Sequence, residues 1–186
     1  MTGQERRAQI LEVAEKEFAA AGFHGASTEA IARQAGITQA YVFRIFGSKK
    51  QLFVECVDLA FGRMTSAMSQ AAGTATGMEA LAAMGLEYDA MLKDRTTLLL
   101  QLQGIAASGD PDIRAAVRTS LGRLWQTVAD SAGLDAVTVK TFMAFGMLLN
   151  TSAALDISGV DEPWARQVRT RIRAGLFDHI SRETNR

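Results

Sequence analysis

Residues 28–46, TEAIARQAGITQAYVFRIF, decide how the rest of the chain is read. Ala35 follows Ile31 and Ala32 by four and three residues, the spacing of one helical face, and Thr28 stands where an N-cap is wanted. Gly36 has no Cβ to clash and so suits the left-handed turn that ends such a helix. Thr38 is then placed to cap a second helix, Gln39 to about Phe46, that turns Val42, Ile45 and Phe46 inward. Gln39, Tyr41 and Arg44 point elsewhere, and all three are long side chains able to hydrogen-bond. Two short helices joined at a glycine turn form the arrangement that lays a recognition helix in the major groove of DNA.

The flanks extend this pattern. Upstream, a helix is expected from about residue 4 to 21, burying Ile10, Leu11, Ala14, Phe18 and Ala21, with Phe23 plugging the small core and His24 in a solvated loop. Downstream, Gly47 and Ser48 break the second short helix, and Ser48 caps a long one. That helix begins near Lys49 and passes through Leu52, Phe53, Cys56, Val57, Leu59 and Ala60 to Met64 and beyond.

Taken together, residues 10–57 resemble the DNA-binding domain of the TetR family of bacterial transcriptional regulators. The matching positions are Ile10-Leu11, Ala14, Phe18, Gly22-Phe23, Ser27-Thr28, Ile31-Ala32, Ala35-Gly36-Ile37-Thr38, Phe46, Ser48-Lys49, Leu52 and Phe53. Beyond about residue 60 the resemblance implies only a divergent helical domain, which in that family usually encloses a small-molecule pocket. Two positions depart from the family. Phe43 stands where a tyrosine is common, so a phosphate hydrogen bond is missing there, and Ile45 stands where a histidine is common.

Composition agrees with an all-α chain. Hydrophobic residues make up 48% and charged ones 22%, only two prolines occur, and no stretch alternates with a period of two. The expected architecture is an N-terminal three-helix helix-turn-helix domain over 1–48, followed by a larger helical domain over 49–186, about nine helices in all. AAGTATG at 71–77 reads as a linker. Further helices are expected at about 78–92, 95–108, 111–131, 135–155 and 162–182. The helix at 95–108 is apolar on nearly all sides and is expected to be buried.

The N-terminus MTGQERRAQI has no apolar signal core, and no run of about 18 apolar residues exists to span a bilayer. With Cys56 the single cysteine, a disulfide framework is excluded. Both features fit a cytoplasmic protein without a membrane partner. The formal net charge is zero, but its distribution is uneven. Residues 28–50 carry Arg33, Arg44, Lys49 and Lys50 against Glu29, residues 78–162 are net −5 and residues 163–186 are net +4. A locally basic reading head on a neutral protein suits DNA while limiting non-specific adhesion.

Enzymatic chemistry finds no support: the two histidines are far apart, no nucleophile has a recognisable setting, and there is no glycine-rich phosphate loop. No catalytic residue, cofactor or metal is assigned. Asp178, His179 and Glu183 read better as the solvated face of a terminal helix than as a metal site. The DNA-reading residues are Thr28, Thr38, Gln39, Ala40, Tyr41, Phe43, Arg44 and Lys49. Gln39 offers an amide edge to adenine, Arg44 a fork to guanine or phosphate, and Ala40 a small methyl at the helix start. Thr28 and Thr38 put hydroxyls and helix N-termini near phosphates. The resemblance gives Lys49 the part of a phosphate clamp.

An apolar effector pocket is expected from Met84, Met91, Leu102, Trp125, Phe142, Phe145 and Met147, with Gln103 and Asn150 as polar fixtures. A homodimer interface is expected from Phe142, Phe145, Leu149, Trp164, Val168, Ile172, Leu176 and Ile180. The leading expectation is therefore a homodimeric repressor released from a palindromic operator on double-stranded DNA by a small apolar effector. A ligand-independent DNA-binding factor, or a helical carrier or enzyme with a vestigial helix-turn-helix, are the alternatives.

Overall fold

The computed structural model describes residues 2–168, and every described element is helical. In chain order they are α1 (Gly3–Gly25), α2 (Thr28–Gln34), α3 (Gln39–Phe46), α4 (Lys49–Ala72), α5 (Gly77–Met91), α6 (Arg95–Ala106), α7 (Pro111–Ala132) and α8 (Ala136–Ala154). A 3-10 turn at Ile157–Gly159 and α9 (Pro163–Val168) follow. The expected all-α architecture is borne out, with element ends mostly within a residue or two.

Local side-chain chemistry fixes those ends. Thr2 and Glu5 form a reciprocal capping box on α1. Asp94, Asp110 and Asp135 each accept backbone N–H groups at the starts of α6, α7 and α8. Gly36, at φ +66, closes α2: its own N–H reaches Arg33 O and the Ile37 N–H reaches Ala32 O, which is a Schellman turn. One expected cap is corrected. Thr28 is the first helical residue, and Ser27, in extended conformation, is the N-cap that accepts the Ala30 N–H at 3.2 Å.

The described residues form two compact units. The first comprises 2–63 and 94–122, so it takes in α1 to α3, α6 and the first parts of α4 and α7. Its core is Ile10, Ala14, Phe18, Ile31, Val42, Leu52, Phe53, Val57, Leu100 and Ile113, with Phe18 and Phe23 both against the Phe53 ring at about 5 Å between centroids. Ala19, not Ala21, completes the buried stripe of α1, because the helix is already breaking at Gly22. Here φ is 70 and ψ 179, a conformation open to glycine alone. α6 crosses close to its neighbours at Gly104, where an added Cβ would lie 2.8 Å from Val57 Cγ1 and 3.3 Å from Val117 Cγ2. α6 is not buried all round as expected: Leu98 and Leu100 face inward while Ile105 is exposed.

The second unit comprises 64–93 and, among described residues, 123–168. Met64, Met68, Leu81, Met84, Tyr88, Leu124, Val128 and Val139 form its core. α5 and α8 meet over two glycines. The Phe142 ring lies beside Gly85, and the Tyr88 ring beside Gly146. The expected terminal helix over 162–182 is seen as α9, and its remainder lies outside the described residues.

Candidate nucleic-acid interface

The site is built on α3, whose two faces differ in character. Val42 and Phe46 are buried, while Gln39, Ala40, Phe43 and Arg44 are exposed. Thr38 caps the helix as expected, accepting the Tyr41 N–H at 3.3 Å, and Gly47 ends it at φ +79. From below, Arg7 of α1 stacks over the Phe46 ring at 4.8 Å and pairs with Glu55 of α4 through both terminal guanidinium nitrogens. This brace joins residues 39 to 48 positions apart in sequence. No local pattern announces it.

The predicted reading residues are brought together, and several hold one another. The Arg44 guanidinium stacks on the Tyr41 ring at 4.5 Å, which restricts a long flexible side chain before any ligand arrives. The Gln39 Nε2 donates to Thr28 Oγ1 at 2.7 Å, across from the start of α2. Lys49 Nζ donates to the His24 carbonyl at 3.2 Å and lies 5.4 Å from the centre of the Phe23 ring. Phe43 is 37% exposed, so an aromatic ring without a hydroxyl faces outward on this helix.

The electrostatics of the head are also refined. Lys50 pairs with Asp110 at 2.9 Å and Asp112 at 2.7 Å, so its charge is compensated within the unit. Hydrogen bonds to Asp112 and Asp110 raise its pKa, and the same contact with Lys50 lowers that of Asp110. The acids of α1 have partners of their own: Glu12 with Lys16, Glu15 with Arg63, and Glu17 with the Ser27 N–H. Burial raises the pKa of the Cys56 thiol well above its ordinary value, which makes it a core group.

The remaining candidate residues divide between the two units. Leu102 and Gln103 belong to the first, and Gln103 packs its amide against the Gly22 backbone. Met84, Met91, Trp125, Phe142, Phe145, Met147 and Asn150 belong to the second. Of these Met84 and Asn150 are buried, Met91, Trp125, Phe142 and Phe145 are half-buried, and Met147 is 46% exposed. Among the interface candidates, Leu149 and Val168 are half-buried, and Trp164 is exposed with its indole N–H on Glu162. Ile172, Leu176 and Ile180 lie outside the described residues, as do Asp178, His179 and Glu183. Among the described residues no group of histidine, cysteine and carboxylates is arranged to hold a metal ion. No helix there is long and apolar enough to cross a membrane.

A braced short helix with one polar, exposed face, set behind a Schellman turn, places the head in the helix-turn-helix class. The family model described as bacterial regulatory proteins, tetR family, matches residues 10–56. Over 55 residues the chain is 38% identical to the uncharacterised HTH-type transcriptional regulator YdgC of Bacillus subtilis (strain 168), a stretch covering 30% of this chain and 28% of that protein. The chain thus matches little more than a quarter of that relative's length.

Solved structures of transcriptional regulators share the fold over far more of the chain. The TetR family regulator PfmR of Thermus thermophilus aligns with a TM-score of 0.65 at 22% identity, over 86% of this chain and 92% of that one. FadR of Bacillus subtilis, solved in complex with stearoyl-CoA, aligns with a TM-score of 0.70 at 18% identity, over 87% and 95%. The fatty acid degradation regulator FadR of Bacillus halodurans aligns with a TM-score of 0.69 at 16% identity, over 90% and 100%. The tetR-family match is thus confined to the helix-turn-helix head, while the fold of the described chain is shared with these solved regulators.

Proposed function

We propose that the chain is a sequence-specific DNA-binding transcriptional regulator, acting in the cytoplasm as a homodimeric repressor. The observation that carries this reading is the two-sided α3. Buried Val42 and Phe46 anchor it while Gln39, Ala40 and Arg44 stand exposed on a helix already capped and braced. Such a helix has the size and chemistry to enter the major groove, with Gln39 and Arg44 as base readers and Thr38 and Lys49 at the phosphates. In functional terms residues 1–48 are the reading head, and 49–186 serve effector binding and dimerisation.

One head covers only a few base pairs, so useful affinity requires two heads on a palindromic operator. The α8 face bearing Ala144, Met147, Leu148 and Thr151 is exposed and largely apolar, which supports a dimer contact there beside the expected Phe145 and Leu149. A small apolar effector would fill the second unit near Met84, Trp125 and Phe142. Bacillus subtilis FadR, which shares the fold, was solved with stearoyl-CoA, whose acyl chain is long and apolar, and this supports an effector with an apolar part. Release of DNA then requires the ligand to favour one state of the dimer over the other, by about 1–3 kcal/mol for a typical allosteric coupling.

Selection of bound fragments from the surrounding genomic DNA tests the core of this reading. A short inverted repeat, bound with steep salt dependence, is the expected result. Equal retention of all fragments, or of none, would overturn it. A thermal-shift panel of apolar ligands, repeated on the operator complex, tests the effector: a ligand that both stabilises the protein and weakens DNA binding is expected. Stabilisation of neither kind across the panel favours the ligand-independent regulator.

A further inference from the structure

We propose that Thr28 is a positioning residue that holds the Gln39 amide in place before DNA arrives, and so sharpens the preference for the base Gln39 reads. The inference rests on the DNA-binding reading above and goes beyond it. Gln39 is the exposed first residue of α3, and its Nε2 donates to Thr28 Oγ1 at 2.7 Å. Thr28 is only 7% exposed, so its hydroxyl is a fixed feature of the protein interior, not a group free to reach outward. The bond spans eleven residues and crosses from α2 to α3, so the Schellman turn at Gly36 sets its geometry.

A primary amide has two chemically different edges. The bond from the Gln39 amide to the buried Thr28 hydroxyl holds the side chain in one place on the exposed face of α3. The carbonyl Oε1 and the remaining N–H are left for a ligand. This acceptor–donor pair matches the N6 amino group and N7 of adenine in the major groove. Bidentate reading of adenine uses Oε1 and the N–H on the same side, leaving the other N–H for Thr28. Grip and readout are therefore compatible, and the grip spares Gln39 part of the ordering cost of meeting the base.

The test is selection from a random-sequence DNA library by four full-length proteins: the wild type, Gln39→Ala, Thr28→Val and Thr28→Ser. Valine keeps the shape of threonine and removes only the hydroxyl, and serine retains the hydroxyl. Wild type is expected to prefer an A·T pair at one position of the site, or at its symmetry mate, and Gln39→Ala to lose preference at that position. Thr28→Val should relax discrimination there by about two- to tenfold, the range of one neutral hydrogen bond, leaving other positions unchanged. Thr28→Ser should keep the wild-type profile.

A Thr28→Val protein that weakens all sequences alike, as loss of a phosphate contact would, overturns the proposal. So does unchanged discrimination at the Gln39 position, or a Gln39→Ala profile equal to that of wild type. A wild type with no sequence preference at all refutes the regulator reading itself and takes this proposal with it. Unfolding midpoints for all four separate a change in readout from a loss of fold.

Discussion

Gly22 and Gly36 both sit at positive φ, yet they should answer substitution differently. Gly36 (φ +66) has open space where a side chain would stand, so Gly36→Ala should cost only the left-handed backbone term, about 1–2 kcal/mol. Gly22 combines φ 70 with ψ 179, and an added Cβ would lie 2.7 Å from Gln103 Oε1. Gly22→Ala should cost more, about 1–3 kcal/mol from the backbone together with the displaced amide. Adding Gln103→Ala should recover only the second part, which urea unfolding of the four proteins would resolve. At the reading face, Gln39→Ala or Arg44→Ala should each remove about 1–3 kcal/mol of operator binding but little from random DNA. Lys49→Ala should weaken both alike and flatten the salt dependence by about one unit, measured by titration at several ionic strengths. Thr38, Gly36 and Ser48 were legible in the sequence because caps and turns act over three or four residues. The Ser27–Thr28 pair was not: either hydroxyl suits a cap, and the choice depends on which residue leaves the extended region.

Between elements, the close crossing of α6 leaves no room at Gly104. Gly104→Val should destabilise the protein by about 1–3 kcal/mol through overpacking, and Val57→Ala should rescue part of that loss when combined with it. Denaturant midpoints of the single and double variants check both statements. The start of α4 is tied to the start of α7 through Lys50, and the pKa directions give this tie a pH window. The lowered pKa of Asp110 gives stability that is present above the ordinary value of 3.8 and lost as pH falls through the folded value. The raised pKa of Lys50 gives stability present below 10.5 and lost as pH rises through its folded value. The melting-temperature difference between wild type and Lys50→Met should therefore be largest from about pH 5 to 10 and shrink on both sides. Helix spans were readable from apolar spacing, but the partner of each face was not. Leu98–Leu100 and Ile105 look equally apolar in the sequence, and only the crossing at Gly104 turns the first inward and leaves Ile105 exposed.

For the molecule as a whole, the proposed dimer makes the strongest demand. Met147 is 46% and Leu148 44% exposed on α8, a high exposure for neighbouring large apolar residues. Met147→Glu with Leu148→Glu would force charges into the proposed contact at a cost of several kcal/mol. Sedimentation should then show a folded monomer that has lost operator affinity, and a double variant that remains dimeric would move the interface elsewhere. The helix-turn-helix was legible because its signals lie within nineteen residues, 28–46. That α6 and the first part of α7 join the same compact unit as the head was not, since such packing depends on contacts like Lys50 with Asp112, 62 residues apart. The sealed core of that unit also has a practical use. The chain's one native thiol, at Cys56, is buried and held protonated, so it should resist labelling while the protein stays folded. A cysteine introduced at exposed Gln34, the last residue of α2 and outside the proposed reading set, would take a maleimide dye alone and put a fluorescent reporter beside α3 without filling the groove α3 is proposed to enter.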